Sequence, residues 1–118
     1  MKAVVRHFLS PDVDFNTYWP EDVEDVGFLV QMLVGPEGGP GEESFGVMVC
    51  TPRWLGREVQ RSGPLIARHF LVIPEYDPPK IQEFLRNRVE AFAASTWTEL
   101  AEKIGRIGYW EFEDYAPE

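Results

Sequence analysis

The stretch "GFLVQMLVGPEGGPGEESFGVMVCT", residues 27–51, decides the fold. Its first eight residues are almost all apolar, which is typical of a central strand that is buried on most of both faces. Residues 44–51 repeat this character, and between the two runs lies a connection rich in Gly and Pro. The pattern predicts two strands that pair as a hairpin around a long, mobile, acidic loop.

Strand patterns also cover residues 2–9 and 65–73. Helix signals occur at three places: Thr51 before a short helix, Asp77 before a longer one and Thr96 before the last. Because strands and helices do not alternate regularly, the order favours an α+β fold. We expect about four mostly antiparallel strands, with the two longer C-terminal helices packed on one face. No linker is evident, so residues 1–118 are predicted to form a single domain.

The chain has 118 residues, 44% of them apolar, and a formal net charge of −9. This charge argues against nucleic-acid binding and against docking on anionic lipid, because both require a basic surface. Cys50 is the single cysteine, so no internal disulfide is expected. Arg6 and His7 interrupt the apolar start, which therefore does not resemble a signal peptide, and we expect a cytoplasmic protein without a membrane segment.

Candidate catalytic residues are few. Cys50, His69 and nearby acids could in principle form a nucleophilic set, but both residues lie inside predicted strands, where packing is the usual role. No His or Cys pair has metal-ligand spacing, and the Gly-rich loop lacks the lysine of a phosphate-binding loop. We expect no metal and no cofactor, and a nonenzymatic role. A small enzyme or ligand-binding module that uses His69, Cys50 and nearby acids is the alternative.

Two segments share an order of residues, Tyr-Trp and then acids: "YWPEDVED" at 18–25 and "YWEFEDY" at 109–115. In an extended tail, Trp110 and Phe112 point one way, so they are predicted to anchor the tail to the core while its acids stay exposed. Arginines at positions 53, 57 and 61 are expected to form a solvated face. Aromatic anchors with carboxylates suit the binding of a basic partner. The candidate partner-binding residues are Glu21, Asp22, Glu24, Asp25, Trp110, Glu111, Glu113 and Asp114.

Several of these motifs together resemble the immunity protein 8 family of bacterial polymorphic-toxin systems. The resemblance runs over nearly the whole chain and is carried by "YWPED", "VGFLVQMLVG", "ESFGVMVCTPRWL" and "TWTELAEKIGRIGYWEFEDY". It implies a protein that binds and neutralises a cognate toxin delivered between bacteria. Toxins of such systems are often nucleases with basic active sites, so carboxylates of the inhibitor would stand where phosphates bind.

Overall fold

The computed structural model describes residues 1–114, so Tyr115 of the second aromatic segment lies outside it. Within that range the chain forms an α+β fold of five strands and three helices. In chain order the elements are β1 (Ala3–Leu9), β2 (Gly27–Pro36), β3 (Glu43–Cys50), α1 (Pro52–Ser62), β4 (Phe70–Val72), α2 (Pro78–Glu90), α3 (Trp97–Ile104) and β5 (Tyr109–Trp110).

The strands form one mixed sheet in the order β1-β2-β3-β4, and β5 pairs with β3. β1 with β2, β2 with β3 and β3 with β5 are antiparallel, whereas β4 runs parallel to β3. β4 pairs with Met48–Cys50 and β5 with Phe45 and Gly46. Because β2 fills the opposite edge of β3, both short strands share the remaining edge. The predicted hairpin and the mostly antiparallel sheet are confirmed.

The core lies between one face of the sheet and the two C-terminal helices, as predicted. Every second residue along β2 and β3 is fully buried, which is typical of strands with one covered face. The other face of β2 is only half-buried, so the predicted burial on most of both faces is not observed. α2 and α3 each contribute a buried stripe at helical spacing to the same cluster. The central members of this cluster are Val30, Met32, Val34, Phe45, Val47, Val49, Ile81, Leu85, Val89, Leu100 and Ile104.

The strand that the sequence predicted over 65–73 is much shorter in the structure. Only Phe70–Val72 is extended, and residues 65–67 are exposed. The cause is a turn in which the Arg68 amide donates to the Ile66 carbonyl, followed by His69 with φ of 64°. A left-handed residue cannot continue an extended strand, so β4 begins only after His69.

α1 lies on the opposite side of β2 from the core. Trp54 packs directly over Gly27, where a side-chain Cβ would stand 2.2 Å from the indole ring. Thr51 precedes the helix but does not cap it, contrary to expectation. Its buried hydroxyl oxygen instead accepts a hydrogen bond from the Val26 amide at 3.1 Å. Thr51 therefore ties α1 to the start of β2.

The β2–β3 loop is held by Arg6 of β1. Its guanidinium donates to the Pro36 carbonyl at 2.9 Å and to the Gly39 carbonyl at 2.6 Å. Gly38 and Gly41 have positive φ, which explains the glycines that suggested a flexible loop. Arg6 therefore joins this loop to β1.

Candidate partner-binding surface

The end of the described chain is anchored through Trp110. β5 places the indole over the ring of Phe45, with centroids 6.3 Å apart and planes 9° from parallel. Gly108 makes this approach feasible, because a Cβ there would come within 3.1 Å of Phe45. Trp110 is half-buried and packs against the core cluster, as the sequence predicted.

A carboxylate lies between two tryptophans beside this anchor. The indole N–H of Trp97 donates to one oxygen of Glu43 at 2.5 Å, and that of Trp110 donates to the other oxygen at 2.7 Å. Three elements meet here, because Glu43 begins β3, Trp97 begins α3 and Trp110 ends β5. Both oxygens of Glu43 therefore have fixed positions, and the charge is held at the surface in one orientation.

The acids after Trp110 do not all face one way. Glu111 continues the strand alternation, and its carboxylate accepts the Ser44 amide at 2.9 Å. The chain then turns, with the Glu113 amide donating to the Trp110 carbonyl at 3.0 Å. This turn brings Glu113 within 3.4 Å of the Arg68 guanidinium and 3.9 Å of His69 Nε2. The extended conformation considered for the tail therefore ends with Trp110, because residues 111–114 form a turn.

Phe112 also differs from the prediction. It lies edge-on to the Trp110 ring, with centroids 6.0 Å apart, so the two side chains do share a side. Phe112 is nevertheless 41% exposed, so it does not anchor the tail in the core. Trp110 alone has the predicted anchoring position, and Phe112 offers its ring at the surface.

These groups surround a pocket of about 510 Å³, which we call the tail pocket. Three aromatic rings and three carboxylates contribute to it. A cation placed there would meet aromatic faces and negative charge together, which is the chemistry that recognises lysine, arginine and other organic cations. The lining residues are Glu43, Trp97, Thr98, Glu102, Trp110, Phe112 and Glu113.

The predicted partner-binding residues of the tail lie at different places on the surface. Trp110 and Glu113 line the tail pocket, whereas Glu111 lines a separate depression with Leu29 and Tyr109. Asp114 is exposed at the end of the turn. Sequence reasoning missed Glu43 and Glu102 as members of the surface. The helical phase of residues 97–104 was a signal for Glu102, but Glu43 depends on the β3–β5 register, which has no local signature.

The first acidic segment is paired with α1. Asp22 lies 2.6 Å from Arg53, and Glu24 lies 3.8 Å from the same guanidinium. Asp25 accepts two hydrogen bonds from Arg57, at 2.8 and 2.7 Å. The bonds from Arg57 lower the pKa of the Asp25 carboxyl below its ordinary value. The three arginines of α1 are exposed, as predicted for a solvated face, and they also form ion pairs.

The remaining predicted acid of this segment, Glu21, is exposed. The first segment thus keeps an acidic rim, but most of its charge is balanced within the chain. Within residues 1–114, the acids of this segment pair with α1, whereas Glu113 of the tail pairs with Arg68. The two candidate acidic patches are consequently separate surfaces of different character.

Cys50 and His69 are not brought together as a catalytic pair. Cys50 is fully buried at the end of β3, and burial raises the pKa of its thiol, which disfavours the nucleophilic thiolate. His69 directs Nε2 to the Gly105 carbonyl at 2.8 Å. Among residues 1–114, no group of three or more His, Cys, Asp or Glu side chains could hold a metal ion.

The comparisons with known proteins complete this description. The model of the family described as immunity protein 8 matches residues 3–115. No curated protein and no solved structure matches the chain. Over the part of the chain that the structure describes, every helix is too short or too polar to cross a membrane.

Proposed function

Because the chain belongs to the immunity protein 8 family, we propose that it binds a cognate bacterial toxin and neutralises it by stoichiometric protein–protein contact. Residues 1–118 act as one immunity-protein domain in the cytoplasm of the protected cell. The proposal needs neither cofactor nor metal, since inhibition by occupation requires only a complementary surface.

The tail pocket is the observation that carries this proposal. It combines aromatic rings, which supply most of the contact energy at interface hot spots, with carboxylates that select a basic partner. The two indole N–H groups hold Glu43 in place before any partner arrives, so little ordering entropy remains to be lost on binding. The pocket suits a lysine or arginine side chain of the toxin.

A nuclease is the toxin class that this chemistry fits best. Nuclease active sites hold phosphates with basic side chains, and a carboxylate can replace a phosphate in the same hydrogen bonds. The net charge of −9 would also steer the chain towards such a basic surface. The first acidic segment, Glu21 to Asp25, contributes to this steering in the proposal, whereas the tail supplies contacts.

Co-expression with the toxin encoded beside this gene tests the proposal. We expect the chain to rescue cells from that toxin and to bind it one to one in calorimetry. If the purified proteins do not bind and the cells are not rescued, the proposed function is wrong.

A charge reversal that spares the internal contacts tests the surface. Glu102 and Asp114 are exposed and have no recorded partner among residues 1–114, so Glu102→Lys with Asp114→Lys leaves the described ion pairs intact. We expect toxin affinity to fall by tenfold or more, on the order of the cost of like-charge contact at an interface. Glu83→Lys on the exposed side of α2 is the control and should bind nearly as wild type. Equal losses in both variants would remove the tail pocket from the interface.

A further inference from the structure

A second cavity lies beyond the Glu113–Arg68 pair, and its charge is opposite to that of the tail pocket. It has a volume of about 370 Å³ and is lined by three arginine residues. We call it the arginine cavity. Its principal lining residues are Val47, Arg68, His69, Leu85, Arg88 and Arg106.

The arginines of this cavity differ from the others in the chain. Of eight arginines in the sequence, six have a side chain that makes a hydrogen bond or an ion pair within residues 1–114. The two without either, Arg88 and Arg106, both line this one cavity. The chain has 20 acidic residues that could pair with them. Two arginines that line the same cavity and form no ion pair within residues 1–114 are therefore unexpected if their role is only structural.

The surroundings hold these groups in position. Arg88 lies over the ring of Phe84, 4.8 Å from its centroid, which orients the guanidinium by a cation–π contact. Arg106 lies one residue beyond the end of α3, separated from it by Gly105, and its amide donates to the Lys103 carbonyl at 3.1 Å, so its backbone is fixed. Arg68 is already shared with Glu113, at 3.4 Å, and is the most weakly available of the three.

Buried apolar side chains form the floor beneath the guanidinium groups. Val47 of β3 and Leu85 of α2 belong to the core cluster, and the imidazole of His69 beside them is only 7% exposed. A low-polarity floor strengthens the attraction between a guanidinium and an anion compared with open water.

We propose that the arginine cavity binds an oxyanion, either a phosphate or a carboxylate group. A planar guanidinium donates two parallel hydrogen bonds to either group. Two arginines that line one cavity, with no side-chain ion pair within residues 1–114, can therefore hold it from two directions. This proposal does not rest on the proposed toxin binding, because binding of the anion is measured on the isolated protein.

Nuclear magnetic resonance titration of the full chain with sodium phosphate, and separately with sodium acetate at matched ionic strength, tests this site. We expect saturable shifts of the His69, Arg88 and Arg106 amides. Arg88→Gln and Arg106→Gln should each weaken binding roughly tenfold, since each removes a charge-assisted contact. Arg61→Gln is the matched control, because Arg61 lies on α1 and does not line the cavity.

The results answer two questions: whether the site exists, and whether its anion is a free phosphate or a carboxylate of the partner. Tighter binding of phosphate than of acetate assigns the site to a free phosphate group. Equal or tighter binding of acetate, together with weaker toxin binding by Arg106→Gln, assigns it to a carboxylate of the partner. Shifts that do not saturate, or that are the same in Arg106→Gln and Arg61→Gln, would overturn the proposal. Unfolding curves of each variant establish that a loss of binding is not a loss of fold.

Discussion

The same dipeptide, Tyr-Trp, precedes the acids in both aromatic segments, yet its two residues have opposite roles. In the first segment Tyr18 is half-buried and Trp19 is 65% exposed. In the second, Tyr109 is 52% exposed and Trp110 is half-buried. The order of residues is therefore not what determines which ring is the anchor.

The backbone around each pair explains the inversion. Tyr18 lies in a loop and packs edge-on against Phe28 and Tyr76, with centroids 5.6 and 5.5 Å away. Trp110 lies in β5 opposite Phe45, whose side chain faces the core, so strand alternation turns Trp110 inward and Tyr109 outward.

The acids differ for a related reason. α1 follows β3 and places Arg53 and Arg57 beside the first segment, which balances Asp22 and Asp25. Within residues 1–114, the tail acid that pairs with an arginine is Glu113, and its partner is Arg68. Whether a carboxylate can meet a partner thus depends on which basic residues lie opposite it in the fold. The amino-acid composition does not predict this.

The largest difference in stability is expected between two single variants, Trp110→Ala and Trp19→Ala. Trp110→Ala deletes the stack on Phe45 and the hydrogen bond to Glu43, so we expect a loss of about 2–4 kcal/mol in the free energy of unfolding. Trp19→Ala removes a mostly exposed ring and should cost under about 1 kcal/mol. Urea unfolding followed by tryptophan fluorescence or circular dichroism measures both. Similar losses in the two variants would mean that the inversion has no energetic consequence.

Neutralisation of Glu43 is expected to have an intermediate effect. Glu43→Gln keeps the side-chain shape but replaces one acceptor oxygen with an NH₂ group that faces an indole N–H. We expect a loss of about 1–2 kcal/mol on urea unfolding, from one hydrogen bond left unmade. Glu42→Gln, at the exposed neighbouring position, is the control and should be close to neutral. If Glu43→Gln does not change the free energy of unfolding, the packing of the two indoles does not depend on the charge of Glu43.

The Asp25–Arg57 pair gives the smallest and most specific effect. Because the folded-state pKa of Asp25 lies below its ordinary value of 3.8, the pair contributes stability above that pH. This contribution is lost as pH falls through the lower, folded-state pKa. The melting temperatures of wild type and Arg57→Gln should therefore differ by a constant amount above about pH 5 and converge below 3.8.

A titration of the Asp25 carboxyl by nuclear magnetic resonance checks the same pair directly. In Arg57→Gln its pKa should rise towards 3.8, whereas in Arg61→Gln, whose partner is Glu58, it should not move. An Asp25 pKa that is unchanged in Arg57→Gln would contradict the assignment of the shift to that guanidinium.

Much of the fold could be predicted because its signals are local. Runs of apolar residues marked β2 and β3, and Pro78 and Pro79 after the capping Asp77 marked the start of α2. Thr96 accepts the Glu99 amide at 3.2 Å, as its capping pattern indicated. Strand alternation in the tail also indicated the anchoring Trp110, whereas Glu113 is half-buried against Arg68 and not fully exposed as predicted.

The rest depends on contacts between residues that are far apart in sequence. Nothing near His69 indicated its left-handed backbone, because the surrounding residues have high strand propensity. Glu43 meets Trp97 and Trp110 only through packing that joins positions 54 and 67 apart. The Arg53 and Arg57 pairs likewise depend on how α1 crosses the sheet, which local propensity does not determine.

The shared edge of β3 has a consequence for biosynthesis. β2 and β3 can pair early on the ribosome, but the edge that β4 and β5 complete stays open until residue 110 has emerged. A nascent chain halted before that point would carry Glu43 without the indole of Trp110. The tail pocket is therefore assembled last, and we expect a polypeptide stopped at residue 108 to lack it while keeping the hairpin.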